Sequence, residues 1–472
     1  MKESTGRRRR VGSLAFLALA VSALAVRAQH VDPREAERAR ELRTEVEEKL
    51  RRGRLRTVDA LLGIPAAERA GVAAARAARA LFATGDAAAI ANCEPICKAH
   101  ADAAPAATAV EALERVELFA AANASHREAL TRALARLLEL QRKDGSFAVE
   151  EEREGPDAAA VSARALLAAR AAENAGVPFD LERWAATGEF LLSRRQRDGG
   201  VGGPGRKARS NGAATAGALA AWATLAARDA DAARKARCAE AMQRAEAWLL
   251  EEWTVERNPG GHGEDLAWLV DLERAETLLL IAPESAKRRQ KRRDGYLAGY
   301  QLPDWGWNSR ASLQDVMGPA GSVPSGAGAG AGVGPPQLPR GLGAVPQVVY
   351  DPYDTASATL ALAGGTRASE AELRFALQRR LASPRALPSA DRFEAFLALL
   401  REHFAVVIPE LIAGLSAADA PCRAWALRCL RALSGADLGF DPAKSPGEPS
   451  NQKALEAWRH WWMTEGRTRA GR

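Results

Sequence analysis

Apolar and polar positions alternate in two distinct ways along this chain, and the two kinds of segment take turns. Segments such as "HREALTRALARLLELQ" and "LERWAATGEFLLSRRQ" place apolar residues three and four apart, with charges between them. That spacing predicts amphipathic helices with one wet face. Other segments, "AAAVSARALLAA", "GAATAGALAAWATLA" and "LAWLVDLERAETLLL", are apolar nearly all round and rich in Ala and Gly. Helices of that kind are buried, and small residues let them approach closely. After the N-terminus no alternating strand-like stretch of useful length occurs, so the chain reads as all-α.

The joint between the two helix types repeats. Gln141-x-x-Asp144-Gly145-Ser146-Phe147 is followed by Gln196-Arg197-Asp198-Gly199, and later by Gln301-Leu302-Pro303-Asp304-Trp305-Gly306-Trp307. Asp144 and Asp198 are 54 residues apart; Asp198 and Asp304 are 106 apart, close to two periods. The intermediate copy is a degenerate glycine-rich stretch containing His262. The apolar helices open on Asp157, Asn211, Asp265 and Asp354, at intervals of 54, 54 and 89 residues. The longer interval holds a Gly/Pro-rich insertion at 309–349. Each unit is therefore an outer amphipathic helix, a glycine turn and an inner apolar helix, stacked as a solenoid or closed as a ring. Because the turn recurs at outer-helix ends, Asp144 is read as a turn residue rather than a unique acid.

Gln-x-x-Asp-Gly-Ser-Phe resembles the glutamine–tryptophan (prenyltransferase/squalene oxidase) repeat of terpenoid cyclases and protein prenyltransferases, with Phe147, Trp305 and Trp307 in the aromatic place. The resemblance implies an α/α-toroid over 57–365. It does not carry the chemistry across. The Asp-x-Asp-Asp acid motif of squalene–hopene type cyclases has no counterpart, and neither has the Asp-Asp-x-x-Asp magnesium cluster. Around Asp265 the cysteine ligand of the prenyltransferase zinc site is replaced by Ala267, and Asp354 stands where the histidine belongs. No metal or other cofactor is expected on this reading.

The remaining candidates are weak. Asp157, Asp265 and Asp354 sit at inner-helix starts, where the simplest role is N-capping. The alternative places them at a cavity mouth as catalytic acids acting on a polysaccharide or an isoprenoid. His262, Tyr300, Trp305, Trp307 and Tyr353 are the matching ligand-binding candidates. All four tyrosines fall between residues 296 and 353, as pocket walls or as a core cluster beside the insertion.

Charge and targeting change the picture at the ends. Residues 1–28 read as a signal peptide, with Arg7 to Arg10 before an apolar run at 11–26 and a cut after Ala28. Sixteen apolar residues are short for a membrane span, so the membrane enters only as an uncleaved anchor. The formal net charge is +7, but residues 1–28 contribute six Lys/Arg and one Glu, leaving +2. Nucleic-acid binding loses its electrostatic basis. The expectation is an exported, periplasmic or secreted protein, with a protein, glycan or lipid as partner. For such a chain Cys93 and Cys97 are either a loop-closing disulfide or small core residues. A charged helix is expected at 29–56 and a HEAT-like tail at 366–472, with Asp419 in the turn of one helix pair. Trp458, Trp461 and Trp462 clamp the last helix.

Overall fold

The computed structural model describes residues 69–147, 158–203, 209–252, 258–260, 267–280 and 393–470. It also describes most of 366–382 and isolated positions at 44–58, 356–360 and 387. These residues are helical throughout apart from turns and isolated bridges. The first part of the chain forms α1 (Val72–Thr84), α2 (Ala87–Ala91), α3 (Glu94–Asp102), α4 (Ala109–Ala122) and α5 (Arg127–Glu139). It continues with α6 (Ala158–Asn174), α7 (Leu181–Ser193), α8 (Gly212–Arg228), α9 (Ala232–Glu251) and α10 (Ala267–Leu279).

Two layers result. In the inner layer α1 packs on α4, α4 on α6, α6 on α8, and α8 on α10. The outer helices lie over the joints: α3 against α1 and α4, α5 against α4 and α6, and α7 against α6 and α8. α8 shows why sequence and layer agree. Its stretch "GAATAGALAAWATLA" is buried on every face, and a Cβ on Gly217 would lie 3.0 Å from that of Ala163 on α6. Small residues thus set the inter-helix distance. Asn211 caps α8, its side chain accepting from the Ala214 amide at 3.1 Å, and Asn258 accepts from Ala213 at 3.0 Å.

The recurring turn has the same geometry in its two described copies. Gln141 bridges to Phe147 and Arg195 to Val201, and both central glycines, Gly145 (φ 84°) and Gly199 (φ 100°), are left-handed. Asp144 accepts from the Ser146 amide (3.0 Å) and hydroxyl (2.6 Å). Asp198 likewise accepts from the Gly200 amide at 3.1 Å and the Ser210 hydroxyl at 2.5 Å. Gln141 reaches sideways to α7, donating to Thr187 at 2.9 Å and the Arg183 carbonyl at 3.2 Å. Gln196 stays local, donating to the Arg194 and Gly203 carbonyls. Phe147 is fully buried and stacks on Trp184, with centroids 5.7 Å apart.

A side chain at Gly145 has no room, because a Cβ there would sit 2.2 Å from the Ala186 carbonyl oxygen. Combining that clash with the positive φ, Gly145→Ala should lower stability by about 2 kcal/mol or more. Urea unfolding of the variant against the parent measures it.

The C-terminal part comprises α11 (Glu370–Leu381), α12 (Phe393–Glu402), α13 (Phe404–Gly414), α14 (Ala420–Ser434), α15 (Pro449–Trp461), a π turn at Trp462–Gly466 and α16 (Arg467–Ala470). α13 packs on α14, with Pro409 inside the first and Asp419 at the N-cap of the second. Trp458 and Trp461 are buried edge to face, 5.7 Å apart, and Trp462 is partly exposed against Phe404.

All five cysteines are free and buried, so no disulfide joins Cys93 to Cys97. The Cys97 amide bonds to the Cys93 carbonyl in a helical turn. Residues four apart on a helix hold their Cβ atoms about 5–6 Å apart, wider than the ~3.8 Å of a disulfide. Burial pushes both thiols up to about 12, which makes them unreactive core residues.

Candidate functional site

The inner helices are not apolar all round. α1, α4, α6 and α10 each send charged side chains to one buried centre, although such helices read as apolar nearly all round. Arg76 and Arg79 come from α1, Glu114 and Glu117 from α4, Arg164 from α6, and Asp271 and Arg274 from α10. They form an unbroken alternating chain. Ser357 accepts from Arg76 at 3.2 Å, and Arg76 bonds to Glu114. Arg79 lies 3.1 Å from Glu114 and also pairs with Glu117. Glu117 in turn holds Arg274, whose guanidinium is 3.7 Å from Asp271. Arg164 closes the series, donating twice to Asp271 at 2.8 and 2.6 Å.

Two of these pairs, Arg274–Glu117 and Arg164–Asp271, join helices that do not neighbour one another in the layer. α10 packs on α8, yet its charges reach α6 and α4. The side chains of α10 therefore reach past α8 to α6 and α4. Residues far along the chain also reach its beginning, since Ser357 meets Arg76 of α1 and Thr359 meets Thr57 at 3.3 Å. Where the sequence left room for a cavity, the described residues place interlocked ion pairs.

Their electrostatics oppose acid chemistry. Burial alone would raise the Glu114 carboxyl, but Arg76 and Arg79 outweigh it and hold it at about 2. Arg79 is pushed down to about 10, by burial first and by the neighbouring Arg274 and Arg76 afterwards. It stays cationic at neutral pH, and Glu114 stays anionic. A carboxylate held in that state has no proton to give to a substrate. Two polar atoms on α10 lack hydrogen bonds, Trp268 Nε1 and Asp271 Oδ1, both buried. Nearby but outside this chain, His100 on α3 is buried with neither ring nitrogen bonded. Burial, then the Arg115 charge, lowers it to about 4 and keeps the imidazole neutral.

A second buried cluster ties α11 to the ends of the inner helices. Glu372 accepts from Arg170 of α6 at 2.6 and 2.8 Å and from Arg228 of α8 at 3.0 Å. It also completes a capping box, receiving the Ser369 amide at 2.8 Å. Burial would raise this carboxyl, but Arg170 and Arg228 hold it at about 2. Glu246 of α9 takes Arg379 and Arg380 of α11, each at 2.6 Å.

Of the positions singled out in sequence, Asp157, Asp265, Asp354, His262, Tyr300, Trp305, Trp307 and Tyr353 lie outside the described residues, as do Gln301, Asp304 and Gly306. Sequence reasoning missed the ion-pair chain, although a signal was present. Arg76/Arg79, Glu114/Glu117 and Asp271/Arg274 are each three residues apart along their helices. Paired charges at that spacing share a helix face. Among the described residues no group of His, Cys, Asp and Glu side chains is arranged to hold a metal ion.

No family model matches the chain, and no curated protein does. Among solved structures the chain is similar to a type II terpene cyclase from Scytonema in complex with geranylgeranyl dihydroxybenzoate. The identity is 17%, covering 55% of this chain and 82% of that one, with a TM-score of 0.36. At that level the likeness says nothing about chemistry, and the functional reading rests on this chain's own residues.

Proposed function

We propose that this is an exported binding or scaffold protein that uses a layered helical ring without catalysing a reaction. The observation that carries the reading is the ion-pair chain from Ser357 to Arg164, which ties α1, α4, α6 and α10 together through buried charges. Removing those groups from water costs several kcal/mol per ion, offset only while every partner stays in place. Such a centre suits a rigid frame rather than a chamber that opens to an apolar substrate. The partner on this reading is a protein, a glycan or a lipid met outside the cytoplasm. The leader at residues 1–28 supports export through its basic start and apolar run.

The rival is an enzyme using Asp157, Asp265 and Asp354 at the helix starts. Thermal-shift titration separates the two, with geranylgeranyl diphosphate and a mixed oligosaccharide panel as ligands and Asp354→Ala as control. The binding-frame reading expects no saturable rise in Tm that Asp354→Ala removes. A rise that this variant abolishes, accompanied by turnover of the same ligand, would establish the enzyme.

A further inference from the structure

The buried face of α3 carries one group that titrates near neutrality in an otherwise apolar contact. Cys93, Ile96, Cys97 and His100 recur at i, i+3, i+4 and i+7, and each is at most 3% exposed. They share the face that packs on α1 and α4. Neither ring nitrogen of His100 has a hydrogen-bond partner. The groups around it offer a proton little. The Gly71 carbonyl at the N-cap of α1 is out of hydrogen-bond geometry with the ring and already accepts the Ala75 amide at 3.1 Å. From α4 come Arg115, Glu111 and Glu114. Glu111 is bonded to Arg115 and to the Ala107 amide, and Glu114 to Arg76 and Arg79. Arg115 also donates to the Ala104 carbonyl at 2.6 Å, which pins its charge near the imidazole. At the other end of the helix His126 lies 3.5 Å from Glu94, whose side chain is 73% exposed. Protonating His126 would tighten that contact, but a pair so solvated contributes little.

We infer that His100 makes α3 a mild-acid latch: one proton on the imidazole releases this helix from α1 and α4 while the remaining helices stay packed. An imidazolium has two N–H donors to satisfy, and the closed site supplies no free acceptor and a like charge nearby. A buried charge left so is strongly unfavourable, and the protonated ring is accommodated in water once α3 has left. Among the described residues no ion pair joins α3 to α1 or α4, so apolar contact alone opposes the release. Burial first, and Arg115 next, lower the imidazole from 6.5 to about 4. The docking of the neutral ring is therefore fully present above pH 6.5 and is lost as pH falls toward about 4. At pH 5 the carboxylates of Glu114 and Glu372, both held at about 2, are still charged. The ion-pair chain thus outlasts the latch.

Cys93 and Cys97 share the face of His100 and report its release. The test is thiol labelling of the full chain at pH 7 and pH 5 with 4,4′-dithiodipyridine, whose protonated leaving group keeps it reactive in acid. Peptide mass spectrometry quantifies each cysteine. Cys238 on α9 and Cys429 on α14 are buried as well, and the ratio to them cancels the pH dependence of the reagent. The Cys97-to-Cys238 ratio should rise roughly tenfold or more from pH 7 to pH 5. It should stay flat in His100→Gln and His100→Leu, neither of which takes up a proton, and still rise in His126→Gln. A circular dichroism melt at pH 7 verifies that each variant folds. If neither His100 variant folds, the parent and His126→Gln decide: a rise confined to α3 in both supports the latch. A flat ratio in the parent, a rise retained by either folded His100 variant, or loss of the rise in His126→Gln would overturn the proposal. Equal gains at Cys97, Cys238 and Cys429 would overturn it too, because the whole chain would then be opening.

Discussion

Replacing Glu114 with Gln should destabilise the chain by about 3–5 kcal/mol, because it leaves two buried guanidiniums without their shared counter-charge. Glu114 is 1% exposed and, among the described residues, is the one carboxylate bonded to both Arg76 and Arg79. Gln preserves the shape, so the loss reports charge rather than a cavity. Urea unfolding of parent and variant gives the difference directly. A loss below about 1 kcal/mol would mean that the pair is solvated and worth no more than a surface bridge.

The same residue fixes a pH dependence. Its carboxyl is depressed from 4.5 to about 2 in the folded chain. The stability it contributes is therefore fully present above pH 4.5 and is lost as pH falls toward about 2. The span corresponds to an order of magnitude of ~3 kcal/mol. In Glu114→Gln the melting temperature should fall less steeply across that window than in the parent. Glu372, also held at about 2, contributes a second loss over the same range, so some acid sensitivity remains in the variant.

Glu372→Gln is the second large effect. Arg170 and Arg228 meet at this one carboxylate, so its neutralisation removes their shared counter-charge, leaving Arg228 with Glu173, and weakens the cap on α11. A cost of about 3–5 kcal/mol is expected, concentrated where α11 docks on α6 and α8. Amide hydrogen exchange shows where the effect falls. Protection should drop along Glu370–Leu381 while the core of α8 keeps its slow exchange. Equal loss in both helices would indicate that ring and C-terminal helices unfold as one unit. Unchanged protection in α11 would show that Glu246 alone holds it.

The two-layer arrangement was legible because burial leaves a local mark. "GAATAGALAAWATLA" has no face suited to water, and "HREALTRALARLLELQ" has one. The turn was legible because Gly145 and Gly199 recur with an acid before them, a pattern the left-handed backbone requires. The ion-pair chain was not, since its partners lie far apart in sequence: Arg76 and Glu114 by 38 residues, Arg164 and Asp271 by 107. A single Arg on an alanine-rich helix reads as the solvated edge of that helix until the facing helix is known. The cysteines were left open for a related reason. Their spacing permitted a cystine, but helical geometry holds Cys93 and Cys97 too far apart. The aromatic and acidic candidates between residues 262 and 354 fall outside the described residues and are addressed only by the ligand titration above.

The central claim is that interlocked charged side chains tie α1, α4, α6 and α10 together. A crystal structure of the chain tests it most directly. The account predicts Arg79 and Arg274 both hydrogen-bonded to Glu117, with Arg164 paired to Asp271 behind them. An open, water-filled channel with those guanidiniums turned outward, and acids at the helix starts pointing into it, would contradict it.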